Sequence, residues 1–530
     1  MIRIPPPNLD LTHETFRDQT TTLRDVLILA GVFVATCIFF TAMGFYRLLD
    51  GDEAFFLLAA KFVLQGKTPY VDFFFMHMPL LPYLYAAWFK VFGTTLLSGR
   101  LLSVFLCSLT CATLGFVAWN ATRKTWLAAG AMLLFAGTSG VFGWFILAKT
   151  YAPSMLLIVV AYALWIGERP RREGVRYGLA GLCLGLTVST RVMFLPLIAF
   201  FVLDAVFSRQ SAKEKTRILL YALLGFIVGL APVFYFLCYA PDFFYFNTVT
   251  YHVIGRSNHG FIGDFQQKAQ TLTTLTLGMF GAAREESVNS LQFMLLFVPS
   301  VFFVVRCFLR KSLRALDAMF LGFFGLSILP TPAFVQYFYT AAPFLALNVV
   351  FWFADLNTRV RQQTQQRIPL LFISFSLLYA AIGAADIARY TSVDQAVPGM
   401  EWIGEKRGWS METVRDVGRA IDRYEQAGYR VVTWWPAYYV EASSTPFPRL
   451  ENHFGHQAAS HLDERDQERF KVVTVNEIGR FICHNDMVVV VLDPWSLTAL
   501  KQYKYSEQLA SCGYSPVENI NGTLILSRQR

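Results

Sequence analysis

Three acidic residues lie within four positions, just beyond the first long apolar segment of the chain. They are Asp50, Asp52 and Glu53, with Gly51 between the first two. A carboxylate within hydrogen-bonding distance of a hydroxyl group can accept its proton, so each of these side chains could act as a general base. The apolar segment before them, residues 26–46, is long enough to cross a hydrocarbon core of ~30 Å. We therefore expect the acids to lie at a membrane surface.

The same acids also suit the first turn of a helix. Residues 54–64 have amphipathic spacing and are followed by Gly66. Asp50 could cap this helix, and Glu53, three residues later, would complete an arrangement like a capping box. Carboxylates in a first turn also interact favourably with the helix dipole. Capping explains Asp50 and Glu53 better than it explains Asp52, which leaves Asp52 as the strongest candidate for chemistry.

The composition places the chain among membrane proteins. Of its 530 residues, 55% are hydrophobic, which is too apolar for a soluble protein of this size. The net charge is +9, but the Lys and Arg residues fall mainly in short clusters between apolar segments. Such clusters are typical of cytoplasmic loops rather than of a nucleic-acid-binding face. We therefore expect the lipid bilayer, and no nucleic acid, as a partner.

The apolar segments predict a polytopic α-helical membrane protein with about eleven spans in residues 1–388. The predicted spans are residues 26–46, 101–119, 126–147, 152–166, 177–190, 192–207, 218–239, 291–305, 318–329, 339–353 and 369–387. Every second connection is a short Lys/Arg cluster, and the N-terminal arm belongs to the same set. The positive-inside rule therefore places the N-terminus in the cytoplasm and two long loops, residues 47–100 and 240–290, outside. An odd number of spans places the C-terminal tail outside as well.

The tail, residues 389–530, has a different composition and predicts a small extracytoplasmic α/β domain. Apolar residues recur at helical spacing in residues 411–424. Residues 429–435 and 487–492 have the pattern of strands. The dipeptide Asn521-Gly522, which lies between two short apolar runs, is typical of a hairpin turn.

The eight cysteines show no spacing that is typical of a metal site. Six of them lie in or beside apolar segments, where Cys behaves as a small core residue. Cys483 and Cys512 fall in the polar tail, and they could form a disulfide if the tail faces an oxidising compartment. Pairing and non-pairing both stay open at the level of the sequence.

The first outer loop resembles that of a known enzyme family. The resemblance is carried by Asp52-Glu53, the run from Gly66 to Asp72, His77-Met78-Pro79-Leu80, Gly93 and Gly99-Arg100-Leu101. Together these motifs resemble the GT-C membrane glycosyltransferases, and in pattern especially the protein O-mannosyltransferases and the bacterial lipid A aminoarabinose transferases. The match is dense over residues 47–103, thinner across the other spans and absent in detail from the tail. The family's many spans, inside N-terminus and outer catalytic cavity agree with the topology derived above.

The resemblance implies an inverting glycosyltransferase. Such an enzyme moves a sugar from a polyprenyl-phosphate-linked donor to a hydroxyl of a lipid, glycan or protein acceptor at the outer membrane face. The lipid phosphate leaves without needing a proton, whereas the acceptor hydroxyl needs a base. Asp52 would be that general base, and Glu53 would orient Asp52 or the acceptor. A bacterial inner membrane is the implied location.

Five further residues are implied to bind substrate, namely Asp72, Arg191, Arg256, Tyr337 and Tyr339. Arg191 lies at the outer tip of a predicted hairpin, where a cation would stabilise the charge that develops on the departing phosphate. An interfacial arginine that extends its side chain toward water explains Arg191 equally well. An aromatic belt at the membrane interface likewise accounts for Tyr337 and Tyr339.

His77 and His252 are the candidates for binding a metal. By resemblance, His77 takes the place of a metal-binding Glu, and His252 lies in the second outer loop, where the aminoarabinose transferases carry a metal-binding His. The two imidazoles could share a divalent cation. Histidines so far apart in sequence are more often ordinary polar residues, and that interpretation stays open beside the metal.

The chain departs from the family pattern at two places. Ala54 and two Phe residues follow the Asp-Glu pair, where the aminoarabinose transferases soon carry an Arg. Many GT-C enzymes have a second acid at the outer start of the fourth span, whereas residues 149–152 read Lys-Thr-Tyr-Ala. Either Asp52 works without an acidic helper or the substrate chemistry differs.

Two other functions compete with the enzyme: a transporter or flippase for a lipid-linked glycan, and a non-catalytic subunit of glycan assembly. Transporters usually place ionisable groups within spans, near the middle of the membrane. Here the apolar segments carry almost no charge, and the acids cluster in a long outer loop. This distribution favours the enzyme.

Overall fold

A computed structural model describes residues 22–528 apart from residues 168–172, 256–259, 282–283, 361–366, 396 and 398–405. The first helices, α1 to α11, are Leu23–Tyr46, Glu53–Leu64, Leu80–Phe92, Leu96–Thr122, Thr125–Ala136, Ser139–Trp144, Tyr151–Ile166, Glu173–Thr190, Ile198–Phe207, Ala212–Gly229 and Ala231–Tyr239. Helices α12 to α20 are Pro241–Tyr245, Tyr251–Ile254, Gly260–Leu277, Arg284–Leu309, Met319–Ile328, Val335–Phe338, Ala342–Arg359, Ile368–Ala384 and Ile387–Thr391. The remaining helices, α21 to α27, are Met411–Gln426, Ala437–Glu441, Gly455–Ala459, Glu464–Arg469, Val475–His484, Pro494–Ala499 and Tyr505–Ser511.

Helix α1 forms where the sequence predicts the first span. Its start is fixed by a capping box, in which Thr22 Oγ1 accepts from the Asp25 amide at 3.2 Å and Asp25 Oδ2 accepts from the Thr22 amide at 3.0 Å. Only 17% of an apolar 18-residue stretch of this helix is buried inside the protein. Its outward face, with Leu27 and Ile38 more than half exposed, is suited to contact with lipid tails.

Five helical stretches among the described residues are long and apolar enough to cross a membrane. They are Leu23–Tyr46, Leu96–Thr122, Val288–Leu309, Val335–Arg359 and Ile368–Thr391. Helices α10 and α11 meet the same criterion as a pair, although the chain bends by 51° between them. The protein is therefore a polytopic helical membrane protein, and the count of about eleven spans stays a prediction.

Several predicted spans are broken rather than continuous. Residues 126–147 form α5 and the short α6, and residues 218–239 bend at Leu230, just before Pro232. Residues 192–207 begin as a 3-10 helix that contains Pro196. Pro lacks an amide donor and its ring clashes with the preceding turn, which accounts for the breaks near Pro196 and Pro232. The break between α5 and α6 falls at Gly137 and Thr138 instead.

Helices α7 and α8 are antiparallel neighbours, since Arg176 near the start of α8 donates to the Leu164 carbonyl near the end of α7, and α10 packs on α8. The α8–α10 contact is very close: a Cβ on Gly181 would lie 1.9 Å from the Ala222 carbonyl, and one on Gly225 would lie 1.9 Å from the Gly178 carbonyl. Small residues allow this approach of two helix backbones within a membrane. The antiparallel pairing of α7 and α8 brings the start of α7 and the end of α8 to the same end of the bundle.

A four-stranded sheet forms the centre of the C-terminal region. Its strands are Arg430–Thr433, Val488–Leu492, Tyr514–Ile520 and Thr523–Arg528, labelled β1 to β4. The order is β1-β2-β4-β3, with β1 and β2 parallel and the other pairs antiparallel. The predicted hairpin turn lies between β3 and β4, where Asn521 and Gly522 both have positive φ, as a primed turn requires. The predicted strands and helix of this region are thus confirmed.

Cys483 and Cys512 form a disulfide that joins α25 to the end of α27. The bridge closes a loop with a sequence separation of 29 residues, and loop-closure entropy of the unfolded chain corresponds to a stabilisation of about 3–4 kcal/mol. We expect the C483S/C512S variant to show a lower melting temperature by tryptophan fluorescence in detergent. Serine at Cys238, a free and exposed cysteine, should leave that temperature unchanged. Equal melting of the double variant and the wild type would contradict the predicted stabilisation.

The C-terminal region docks directly on the first outer loop. Lys61 Nζ in α2 donates to the carbonyl of Tyr439 at 2.7 Å. Glu441 Oε1 accepts from the Leu96 amide at 2.8 Å, which satisfies one of the free donors at the start of α4. The two parts of the chain therefore share a polar interface around α2, where the acidic residues lie.

Candidate active site

The acidic run folds as a tight turn at the start of α2. The helix begins at Glu53, and Asp52 occupies the capping position without a side-chain cap hydrogen bond. Asp50 Oδ1 accepts from the Asp52 amide at 2.9 Å, one turn before the helix proper. The predicted capping box of Asp50 and Glu53 is therefore wrong, because tertiary partners hold both of these side chains.

Glu53 is completely buried in an ion pair with Arg100. Arg100 Nε donates to Glu53 Oε1 and Nη2 donates to Oε2, both at 2.7 Å, and the Ala148 amide donates to Oε1 at 3.1 Å. Arg100 also donates to the Leu48 carbonyl at 3.1 Å. Glu53 thus joins α2, α4 and the turn before α7. Because its carboxylate is enclosed by protein donors, Glu53 cannot contact an acceptor, and its other predicted role, orienting Asp52, stays a prediction.

Asp52 is the acid that solvent can reach. Its side chain is 42% exposed, against 6% for Asp50. Asp52 Oδ2 accepts from Lys149 Nζ at 3.1 Å, and Asp50 also forms an ion pair with this amine. Exposure therefore separates the two carboxylates: Asp50 is enclosed by protein, whereas Asp52 is in contact with solvent.

Lys149 is the residue that sequence reasoning missed. It lies in the turn before α7, is 5% exposed, and its Nζ lies 5.0 Å from the centre of the Trp144 ring. Burial lowers the pKa of Lys149, but the Asp50 and Asp52 carboxylates outweigh it, so the net pKa lies above the usual value. The signal in the sequence was a lysine at a predicted outer connection, against the positive-inside trend.

Arg191 reaches the same corner of the protein from the end of α8. Its Nη1 donates to Thr150 Oγ1 at 3.1 Å, next to Lys149 in the chain. Its guanidinium lies 4.9 Å from the centre of the Tyr151 ring and 5.1 Å from that of Tyr337. Cation–π contacts and a hydrogen bond hold this side chain in a defined place. That environment differs from that of an arginine that only extends toward water.

The two predicted tyrosines have different surroundings. Tyr337 is partly exposed and contacts the Arg191 guanidinium. Tyr339 is 3% exposed and donates from its hydroxyl to Asn289 Oδ1 at 2.6 Å. A Cβ at Gly140 would lie only 1.9 Å from the Tyr339 ring, so the ring packs directly against the backbone of α6 at that glycine. The predicted substrate contact of Tyr339 is therefore corrected to packing, because its whole side chain is enclosed by protein.

His77 and His252 lie close together, with ring centres 6.4 Å apart. His77 stacks on Phe55 with ring centres 5.6 Å apart, and His252 Nε2 hydrogen-bonds the Met76 carbonyl at 2.9 Å. A nitrogen that donates to a carbonyl cannot bind a cation with the same atom. Within the described ranges, no group of three or more His, Cys, Asp or Glu side chains could hold a metal ion. The structure thus brings the two predicted histidines near each other, and binding of a cation between them stays a prediction.

The other two predicted substrate-binding residues lie elsewhere. Arg256 lies outside the described residues. Asp72 is exposed, and its Oδ2 accepts from the Thr68 amide at 2.6 Å. It belongs to a cleft of about 610 Å³ between the first outer loop and the C-terminal region, lined by Asp72, Pro448, Arg449, Glu451, Glu464, Glu468, Lys471, Glu477 and Arg480.

Three tryptophans of the C-terminal region enclose the turn that carries Asp52. Trp435 Nε1 donates to the Gly51 carbonyl at 3.2 Å, and the Leu49 amide donates to the Trp409 carbonyl at 2.7 Å. A Cβ on Gly51 would lie 3.9 Å from both Trp409 and Trp495. The tail thus forms one wall of the acidic turn, an arrangement that local sequence patterns do not indicate.

Known proteins are similar to this chain in structure, whereas comparisons of sequence find no match. No protein-family model and no curated protein sequence matches this chain. The structure is similar to that of ArnT from Cupriavidus metallidurans in the apo state, with a TM-score of 0.60 and 11% identity over 94% of this chain and 97% of that one. ArnT bound to undecaprenyl phosphate matches with a TM-score of 0.57 and 10% identity over 96% and 98%.

A weaker similarity links the chain to the S. cerevisiae protein O-mannosyltransferase Pmt1-Pmt2 complex bound to the sugar donor. It covers 46% of this chain and 36% of that one, with 18% identity and a TM-score of 0.34, which is too low to establish a common fold. The ArnT matches, by contrast, extend over nearly the whole length of both chains. The chain therefore has the same overall fold as ArnT, in agreement with the resemblance that its first long loop shows in sequence.

Proposed function

We propose that this protein is a glycosyltransferase that moves a sugar from a polyprenyl-phosphate-linked donor to an acceptor hydroxyl. The observation that carries the proposal is that an exposed carboxylate and a fixed cation contact the same short segment, residues 149–151. Asp52 accepts from Lys149, and Arg191 donates to Thr150 and packs on the Tyr151 ring. A base for the acceptor and a cation for the departing phosphate are the two groups that this reaction needs. ArnT, which has the same fold, has been observed with undecaprenyl phosphate bound.

The proposed reaction is a single inverting displacement. The Asp52 carboxylate accepts the proton of the acceptor hydroxyl, whose oxygen forms a bond to the anomeric carbon of the sugar. The bond between that carbon and the phosphate oxygen breaks, and its electron pair leaves with the polyprenyl phosphate. Arg191 stabilises the negative charge that develops on the phosphate, and Tyr337 and Tyr151 hold Arg191 in place.

The remaining parts of the site have supporting roles in this proposal. The Glu53–Arg100 pair fixes the start of α2 and thereby the direction of Asp52. Asp72 and Arg256 are proposed to contact the substrates farther from the reacting carbon. A divalent cation bound by His77 and His252 stays a prediction, and no step of the reaction is assigned to it.

The proposal includes an arrangement in the membrane. Residues 1–388 form the catalytic membrane domain with about eleven spans, and residues 389–530 form an extracytoplasmic α/β domain. The alternation of Lys/Arg clusters supports a cytoplasmic N-terminus and a site at the outer face. A multi-pass location in a bacterial inner membrane is the setting in which a polyprenyl phosphate donor and an outer acceptor would meet.

Charge placement argues against a transporter or flippase. Asp52, Lys149 and Arg191 lie at helix ends and in turns, whereas transporters usually place such groups within discontinuous spans at mid-membrane. A non-catalytic assembly subunit would not require an exposed carboxylate beside a buried lysine. Both alternatives remain outcomes of the functional test.

The proposed function is tested by reconstituting the full chain in liposomes with a polyprenyl-phosphate-linked radiolabelled sugar and an envelope lipid and glycan extract. We expect label in the acceptor, equimolar release of polyprenyl phosphate, and an inverted anomeric configuration in the product. Movement of the donor between leaflets without label transfer would favour the flippase. Absence of both activities with every acceptor fraction would favour the assembly subunit.

Replacing Arg191 by Gln should lower kcat/KM for the donor by about 10²-fold, because a fixed cation beside the phosphate is lost. Lysine at this position should retain part of the activity, since it keeps the charge without the planar contacts to Tyr151 and Tyr337. Steady-state transfer rates at varied donor concentration measure the effect. The matched control is R217Q, which removes an exposed ion pair with Glu173 and should transfer at the wild-type rate. Full activity of a folded R191Q protein would contradict the role of Arg191.

A further inference from the structure

We infer that Lys149 is a positioning residue for Asp52, and that Asp50, Lys149 and Asp52 act as one charge cluster. The inference rests on the proposed function, because it assigns Asp52 the role of base. Lys149 Nζ lies 3.1 Å from Asp52 Oδ2 and also contacts the Asp50 carboxylate. One amine therefore bridges a buried acid and an exposed one, and it lies between them in space rather than beside either in sequence.

The environment of Lys149 keeps the amine where it is. Trp144 packs 5.0 Å from Nζ, and the lysine is 5% exposed. A buried ammonium is stable only with charged or polar partners, and here two carboxylates supply them. Because the amine has little freedom to move, its N–H toward Asp52 fixes one carboxylate oxygen. The exposed remainder of the Asp52 carboxylate is then directed to the surface.

The charge balance of the cluster has a chemical consequence. Two carboxylates face one ammonium, so the cluster keeps a net negative charge, and that charge is accessible only through Asp52, since Asp50 is 6% exposed. Lys149 places one positive charge between two like-charged side chains, so removing it would leave the two carboxylates facing each other without a cation between them. Other ionisable groups surround the cluster: Arg47, Glu53, Arg100, Tyr151 and Arg191.

Two roles of Lys149 make different predictions. If Lys149 only neutralises Asp50, removing both charges together in D50N/K149M restores the wild-type rate. If Lys149 also positions Asp52, kcat of the double variant stays low. D50N/K149M leaves no unpaired buried carboxylate, so we expect it to fold more readily than K149M. If K149M alone is unstable, the double variant still tests the role of Lys149.

The experiment measures sugar transfer by the full-length wild type, K149M and D50N/K149M across pH 5 to 9, with K90M as the matched control. Lys90 is exposed on α3, so its substitution should change nothing. We expect kcat of K149M to fall about 10²-fold with donor KM within a factor of about three, as for a mispositioned base. The acidic limb of its pH profile should move to higher pH, because the cation 3.1 Å from Asp52 is lost. In D50N/K149M the limb should return to the wild-type pH while kcat stays at least about tenfold low.

A wild-type kcat in D50N/K149M, or an unchanged kcat and pH profile in K149M, would overturn the inference. Infrared titration of the carboxylate band that disappears in D52N provides a readout without turnover. That band should titrate at higher pH in K149M than in the wild type, and an identical titration would also overturn the inference. If the wild type transfers no sugar, the proposed function fails, whereas this titration still decides whether Lys149 and Asp52 are coupled.

Discussion

Replacing Asp52 by Asn should reduce sugar transfer by about 10³-fold, because an amide cannot accept the proton of the acceptor hydroxyl. The substitution is close to isosteric, and the amide oxygen can still accept from Lys149, which approaches Asp52 at 3.1 Å. Lys149 keeps its ion pair with Asp50 and can still donate to the Asn oxygen, so the buried ammonium is not left without a partner. We therefore expect kcat to fall while donor KM and the melting temperature stay near the wild-type values.

The measurement is initial-rate transfer of labelled sugar by purified D52N in liposomes. Its matched control is D242N, which removes an exposed acid of the second outer loop that pairs with Arg469 at 2.7 Å. D242N should transfer at the wild-type rate, which separates loss of the base from loss of any outer carboxylate. Transfer by folded D52N at the wild-type rate would rule out Asp52 as the base.

Breaking the Glu53–Arg100 pair should have the largest effect on stability. Both side chains are fully buried, and the pair is bidentate, with two N–O distances of 2.7 Å. In R100M the Glu53 carboxylate would remain buried without its cation, which costs about 3–5 kcal/mol. The start of α2 would also lose its connection to α4, so transfer activity should fall together with stability.

Thermal and denaturant unfolding of the purified protein in detergent, followed by tryptophan fluorescence, measures this loss. The exposed Arg217–Glu173 pair provides the control, and R217M should change the free energy of unfolding by less than about 1 kcal/mol. The double variant E53Q/R100M should recover part of the loss, because no charge is left alone in the interior. If R100M and R217M destabilise equally, burial of the pair is not what stabilises the loop.

Local sequence patterns predicted the helices and strands of this fold better than the positions at which its predicted spans are broken. The apolar run of α1, the strand Val488–Leu492 and the hairpin at Asn521 each follow from neighbouring residues, because hydropathy, alternation and turn geometry act over a few positions. Hydropathy does not locate the break between α5 and α6 or the 51° bend before α11, because each lies within a continuous apolar segment.

In the candidate site, too, local sequence indicated some features, and contacts with distant segments decided others. Asp52 was chosen from the sequence because capping did not explain it, and the structure places it as the exposed acid of the run. Glu53 and Tyr339 had the right residue types for substrate contact, but Arg100 and Asn289 enclose them. Residue type does not determine exposure, which is set by whichever distant segment packs on the side chain.

The sequence by itself indicated a polytopic helical membrane protein, a cluster of acids after its first span, and a long loop that resembles that of the GT-C class. Only the tertiary structure decided which charges meet. Lys149 lies 97 positions from Asp52 in the chain, and Trp435 lies 384 positions from Gly51. Such pairs form because α2, α7 and the C-terminal sheet converge at one place. Contacts between distant segments leave no periodic signal in a single sequence, since each partner follows only its own local pattern.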